Sequence, residues 1–271
     1  MQDRAFGFLR SNRREEKPRS HGVTEIRGPY YSAMGPRYLA DVLDTAGDWV
    51  DSLKFAGGSF TLLPEKSLRD LLDVAHGHNV KVSTGGFLEY VLTQGPDAVE
   101  QYLAECRRVG FDIVEISTGF ITMPQDDVLR LVDRIRALGL LPKPEVGVQF
   151  GAGGASTADE LEQEGLADPS RAIALARRCL DAGAHMIMIE SEGITESVRT
   201  PRHDIAARFA EELGIEHIMF EAADPEVFAW YVKSYGPEVN LFVDHSQIIQ
   251  LECLRQGIWG TKSLWGRILS Y

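Results

Sequence analysis

The feature that most constrains the fold is a formula repeated along the chain: an amphipathic helix, a glycine, then a short β-rich run ending in a polar residue. AECRRVGFDIVEIS (104–117), ARRCLDAGAHMIMIES (176–191) and EELGIEHIMFEA (211–222) all follow it. A helix C-terminus favours a left-handed residue, which Gly supplies at least cost, and Gly110, Gly139, Gly183 and Gly214 stand at that place. Runs read this way predict strands at 23–27, 49–54, 80–84, 112–117, 142–148, 185–190, 217–221 and 239–244.

Strands alternating with helices pair in parallel through right-handed crossovers, and eight such units in 271 residues have the size of an α/β (β/α)8 TIM barrel. The competitor is an open doubly wound sheet. Against it, no G-x-G-x-x-G opens a helix after the first strand, and polar residues end nearly every strand instead of gathering at one crevice. No linker divides the chain. The expected organisation is therefore a loosely ordered N-terminal arm over 1–20 and one barrel over 21–271, with 151–170 as an extended loop inside the repeat.

With 28 Lys+Arg against 40 Asp+Glu, the net charge of −12 argues against a nucleic-acid partner, while 44% apolar residues argue against disorder. No apolar run approaches the ~20 residues needed to cross a bilayer. The basic N-terminus lacks the apolar stretch of a secretory signal, and Cys106, Cys179 and Cys253, widely spaced in helix-like stretches, fit a reducing compartment. A cytoplasmic homo-oligomer without membrane contacts is the expectation, and the arm is one contact it could use.

In a barrel of this kind the chemistry lies at the carboxyl ends of the strands. Arriving there are Arg27, Lys54 with Gly57 and Gly58, Ser83 with Gly85 and Gly86, Glu115 with Ser117, Lys143 with Glu145, then Glu190, Glu221 and His245. Glu115, Glu145, Glu190 and Glu221 would repel one another in a confined mouth unless a cation or a shared proton relieved them. Hard oxygen ligands without nearby Cys suit Mg2+. The competing reading pairs each Glu with a neighbouring Lys or Arg as scaffold. The glycine pairs, beside Arg27, Lys54, Ser83 and Ser117, make a candidate pocket for a phosphate or sulfur oxyanion. Gly151–Gly154 reads as a further cradle, a lid or a plain loop, and Arg199 and Arg202 as lid cations or solvated charges. Asp244, His245 and Ser246 precede a helix that needs an N-cap, but an imidazole there could also give a proton.

The strings WVDSLKFAGGSFTLLPE, VKVSTGGFLEY, ECRRVGFDIVEISTG, PEVG, IMIE, IMFEA and GPEVNL resemble the phosphosulfolactate synthase family over about residues 23–260. GVTEIRGPYY and VNLFVDHSQIIQLECLRQGIWGTKS look closer to its plant heat-stress-associated branch. The resemblance implies a TIM barrel that adds sulfite to phosphoenolpyruvate with Mg2+, giving 2-phospho-3-sulfolactate, the first step of one coenzyme M pathway. It also implies roles for Lys54, Glu115, Glu145, Glu190 and Glu221, which match charged positions of the family pattern. Four positions depart from the synthases: Gln149 stands in place of an acid-supplying Lys, Arg27 in place of Asp, Thr118 in place of Asp and Glu192 in place of Arg. Lys143, on the same strand face as Glu145, is a candidate replacement acid, with Lys54 and His245 as other candidates. Two classes of function stay open: a Mg2+-dependent lyase acting on an enol phosphate, and a barrel kept for a non-catalytic stress or interaction role.

Overall fold

The computed structural model describes residues 5–154, 156–165, 168–258 and 267–270. Its strands are β1 (Thr24–Arg27), β2 (Ser52–Lys54), β3 (Lys81–Ser83), β4 (Ile113–Ile116), β5 (Leu141–Val146), β6 (Ile187–Ile189), β7 (Ile218–Glu221) and β8 (Asn240–Asp244). All neighbours are parallel, and β8 pairs with β1, closing the barrel. Helices α1 (Pro36–Ala46), α2 (Glu65–Gly77), α3 (Leu88–Leu92), α4 (Pro96–Val109) and α5 (Gln125–Ala137) wrap the first half. Helices α6 (Ala158–Gln163), α7 (Ser170–Asp181), α8 (His203–Leu213), α9 (Pro225–Tyr235) and α10 (Ile248–Arg255) wrap the second. No helix among the described residues is long and apolar enough to cross a membrane.

Spacing explains the helices. Val99, Leu103, Cys106 and Val109 recur on one face of α4 and are buried, as are Val128, Leu131, Val132 and Ile135 on α5. Each such burial contributes about 1.5–3 kcal/mol. They meet Ile26, Leu53, Val82 and Val114, alternate strand residues that are 0% exposed. Gly110 caps α4 in the left-handed conformation, as its place after the apolar face predicts. Cys106 and Cys179 are buried in α4 and α7 and Cys253 is half-buried in α10. Burial pushes the Cys106 thiol up to about 12 and that of Cys179 to about 11, so neither is a thiolate nucleophile.

The other set of alternating residues fills the barrel, and it is divided by chemistry. Met186, Met188, Met219 and Phe242 form an apolar half between β6 and β8, with Val23 against it. The half made by β1 to β5 is charged. Glu25, Ser52, Lys54, Glu115 and Lys143 are no more than 5% exposed there.

The arm differs from its sequence expectation. Residues 5–23 have no helix or strand, yet they are tied across the amino-terminal end of the barrel. Asn12 Nδ2 donates to the carbonyls of Arg255 at 2.9 Å and Ile268 at 2.7 Å. Lys17 Nζ donates to the carbonyls of Gly47, Val50 and His78 at 2.8, 2.7 and 2.9 Å, and Arg19 pairs with Asp51 at 3.0 Å. Basic residues of the arm thus satisfy loop carbonyls at the base of the barrel. The 151–170 stretch carries its own short helix, α6, started by a capping box between Thr157 and Glu160.

Candidate active site

At the carboxyl ends of the strands lies a cleft of about 360 Å³ whose walls hold seven carboxylates, Glu89, Glu115, Glu145, Glu190, Glu192, Glu196 and Glu221, against two cations, Arg27 and Lys54. Within it, Glu145, Glu190 and Glu221, from β5, the residue after β6 and the end of β7, each bring a carboxylate oxygen within 4.8 Å of the other two. Burial, then Glu115, pushes the Glu145 carboxyl up to about 8. Burial, then Glu221 and Glu145, holds Glu190 well above the usual range. Burial also raises Glu221, against the pull of Lys54 and Arg27. Crowded carboxylates with raised proton affinity and hard oxygen donors are what a divalent cation would relieve.

Glu115 has a different part. Its Oε1 lies 2.8 Å from Lys54 Nζ and its Oε2 lies 3.1 Å from Lys143 Nζ. Burial disfavours its charge, but the two ammoniums outweigh burial and hold its carboxyl below the usual range. It therefore stands outside the three-carboxylate set that the sequence grouped with it. Lys54 continues the chain to Glu145 Oε2 at 3.4 Å and sits 4.6 Å from the centre of the Phe242 ring. Burial opposes the Lys54 charge as well; Glu115, Glu145 and Glu221 outweigh it and keep the ammonium protonated.

Lys143 does not reach the cleft. It is 1% exposed, pairs with the fully buried Glu25, and anchors Glu115 from below. Ser52 completes this group, its Oγ donating to Glu25 Oε1 at 3.0 Å. His245 also does not line the cleft; its Nδ1 lies 3.5 Å from Asp244 Oδ1. Its Nε2 is 2.9 Å from the Tyr38 hydroxyl, the two rings meet edge to face, and Asp244 caps the turn beside it. Capping and packing, rather than an exposed imidazole at the mouth, account for that tripeptide.

Arg27 reaches the cleft: its NH2 lies 3.2 Å from Glu221 Oε1 and its guanidinium is 5.1 Å from the rings of Tyr31 and Phe242. Gly57, Gly86 and Ser117 line the same cleft, and Ser117 Oγ donates to Glu89 at 3.1 Å. The remaining members of the predicted anion cradle face elsewhere. Gly58 backs onto the Phe87 ring. Gly85, at φ +61°, would bring a Cβ within 2.5 Å of the Phe55 carbonyl, so close backbone packing accounts for it. Ser83 is 0% exposed and its Oγ accepts from Gly85 N–H at 3.4 Å.

The loop after β5 closes over this mouth. Gly153 lies against Glu190, and the backbone N–H groups of Gly153, Gly154 and Ser156 donate to Glu192 Oε2 at 2.8, 3.3 and 3.3 Å. The glycine-rich segment does cradle an anion, but the anion is a carboxylate of the protein. Gln149 Nε2 donates to the carbonyls of Leu161 at 2.7 Å and Gly165 at 3.1 Å, bracing the loop and not the cleft. Arg199 pairs with Asp159 and Arg202 with Asp204, all four side chains exposed or half-exposed. Sequence reasoning missed Glu25, Glu89 and Glu196, and singled out Glu192 only as a departure from the family pattern. Alternation along β1 places Glu25 with Arg27 on the inward face and could have found it; Glu89 arrives on the short helix α3, and Glu192 and Glu196 on the segment after β6.

The model of the (2R)-phospho-3-sulfolactate synthase family matches residues 12–261. Protein HEAT-STRESS-ASSOCIATED 32 of Arabidopsis thaliana is 40% identical over 258 residues, 92% of this chain and 90% of that protein. The phosphosulfolactate synthase of Methanothermobacter thermautotrophicus is 28% identical over 263 residues, 94% of this chain and 96% of that one. Among solved structures, the carboxyl transferase domain of Rhizobium etli pyruvate carboxylase superposes with a TM-score of 0.58 at 15% identity, over 84% of this chain and 40% of that one, a likeness of fold. With the closed barrel and a family match spanning nearly all of it, the chain belongs to the phosphosulfolactate synthase family.

Proposed function

We propose that the chain is a lyase that holds Mg2+ on Glu145, Glu190 and Glu221 and adds sulfite, or a related nucleophile, to phosphoenolpyruvate. The observation that carries this reading is the convergence of those three carboxylates within 4.8 Å, in a cleft whose acidic groups outnumber its cations. Bound there, the metal would supply positive charge to offset the negative charge that develops on the substrate carboxylate.

The chain's own residues divide the remaining work. Arg27, fixed by Glu221 and the faces of Tyr31 and Phe242, binds an oxyanion of the substrate with the donors it leaves free. The sulfur lone pair attacks the methylene carbon, the π electrons move toward the carboxylate, and a proton then closes the phosphate-bearing carbon to give 2-phospho-3-sulfolactate. Of the three acids considered, Lys54 lines the cleft, whereas Lys143 is sealed beneath Glu115 and His245 packs on Tyr38. Lys54 is therefore the proton donor. Glu115, itself held by Lys143, fixes the direction of that ammonium.

A second reading, a barrel serving a stress response without this synthesis, draws on Gln149, whose amide braces the loop, and on the likeness to the Arabidopsis heat-stress-associated protein. One series of measurements separates the two. Mg2+ with phosphoenolpyruvate at about 100 times its Kd should stabilise the fold by about 2.7 kcal/mol, raising Tm by roughly 5–10 °C. No shift at millimolar ligand refutes the phosphoenolpyruvate reading. Sulfite is then added and phosphosulfolactate sought by mass spectrometry; its formation, and its loss in Lys54→Ala, support the lyase.

A further inference from the structure

A cavity of about 840 Å³ lies not at the mouth but at the opposite, amino-terminal end, where arm residues 17–21 cross the base of the barrel and form part of its wall. Its floor is apolar, formed by Val23, Ile113 and Met186, and its walls are rich in cations and imidazoles. Most charged groups around it are already satisfied. Arg19 pairs with Asp51 at 3.0 Å, His76 with Asp112 at 2.8 Å, and the Lys17 ammonium is spent on three carbonyls.

Two groups differ. Lys81, at the start of β3 and on the inward face with Ser83, and His185, just before β6, both line the cavity. Among the described residues, neither the Lys81 ammonium nor the His185 ring has a hydrogen-bond or ion-pair partner. Their mutual influence is repulsive. Burial, then the charges of Lys81 and Lys143, lowers the His185 imidazole to about 4, and burial together with Arg19 and Lys81 lowers Lys17 to about 8 despite Asp51 and Asp48. Asp51 and Glu216 also line the cavity, but Asp51 is held by Arg19 and Glu216 lies 3.7 Å from His217, so Lys81 and His185 are left to receive an anion.

We propose that this cavity binds a small phosphate monoester, its phosphate held by the Lys81 ammonium and the His185 ring and its organic part lying on Val23, Ile113 and Met186. A phosphate presents several acceptor oxygens to donors on separate elements, and a volume of about 840 Å³ leaves room for more than the bare ion. The site is separate from the carboxyl-terminal mouth, and it stands whether or not the chain makes phosphosulfolactate.

The test is a titration of the full chain with inorganic phosphate and with glycerol 3-phosphate, without divalent metal and at constant ionic strength. It is followed by the His185 ring-proton resonance, assigned with His185→Gln. Both probes should shift that resonance saturably and raise its pKa from about 4 toward the ordinary value of about 6.5. Lys81→Ala, at a half-buried side chain that makes no bond, should melt like the parent and lose about tenfold in affinity, or 1.4 kcal/mol. Lys81→Arg should restore it, and Arg27→Ala, at the mouth, should bind like the parent. A His185 resonance unmoved by millimolar phosphate, or a response that survives Lys81→Ala and disappears in Arg27→Ala, would overturn the proposal.

Discussion

Replacing Lys143 by Met tests whether the charged half of the barrel is a mutually dependent set. Lys143 is 1% exposed and its ammonium is shared by Glu25 and Glu115, both 0% exposed. Methionine fills nearly the same space, so the change removes a charge without opening a cavity. Among the described residues, it leaves Glu25 with only the Ser52 hydroxyl and Glu115 with only Lys54. Breaking a buried pair from one side costs about 3–5 kcal/mol, against near neutrality when both charges go. For a chain of this size that is a fall in Tm of roughly 6–20 °C.

Urea unfolding followed by circular dichroism would measure the loss. The double variant Lys143→Met with Glu25→Gln should recover roughly half of it or more, because Gln still accepts from Ser52 and carries no charge. The pH dependence has a definite sign. In the parent the two ammoniums depress the Glu115 carboxyl, so its contribution is present above the unfolded value of about 4.5 and is lost as pH falls. Removing Lys143 shrinks that contribution, so the deficit is largest near neutrality and narrows in acid. A single-variant loss below about 1 kcal/mol, or a double variant whose losses simply add, would refute the dependence.

Three further outcomes follow from the same geometry. Glu145 holds its proton up to about pH 8 in the folded chain against about 4.5 unfolded, and Glu190 is raised as well. Stability from Glu145 is thus complete below about pH 4.5 and is lost as pH rises through about 8, Glu190 acts with the same sign, and millimolar Mg2+ should flatten that slope in a thermal-melt series. Gly153→Ala puts a Cβ 2.6 Å from Glu190 Oε2 at φ +98°, so it should cost about 1 kcal/mol or more and speed limited proteolysis between residues 147 and 157. Arg255→Met removes the donors to the carbonyls of Gly22 and Val239 and to Thr24 Oγ1, and should cost about 2–4 kcal/mol in the same urea assay.

The barrel was legible in the sequence because its signals are local. A glycine after an apolar helical face, followed by a few β-branched or aliphatic residues, marks each unit without knowledge of any other, and every strand lies where that pattern puts it. The site was legible only as a set of strand ends. Reading Glu145, Glu190 and Glu221 as residues that end strands placed them together, but the same rule grouped Glu115 with them, because it carries no information about depth. Glu115 lies beside Lys143 in the strand register, and that neighbour decides its role. Gly85 and Gly86 are a second case: one packs on the Phe55 carbonyl and the next lines the cleft, a difference of backbone direction that composition does not carry. Glu89, Glu192 and Glu196 enter on βα segments whose paths depend on what they pack against.

The polar line from Ser52 through Glu25, Lys143, Glu115 and Lys54 to Glu145 restricts how this chain can change by descent. A barrel lined with branched aliphatics can drift one side chain at a time, each step altering volume slightly. Here replacing Lys143 or Lys54 leaves a buried carboxylate short of its partner, so acceptable changes at the charged positions come as compensating couples, and intermediates carrying one half are selected against before the second arises. The methionine half carries no such bookkeeping and is free to vary singly. Relatives of this chain should therefore differ smoothly along β6 to β8 and in discrete, paired jumps along β1 to β5.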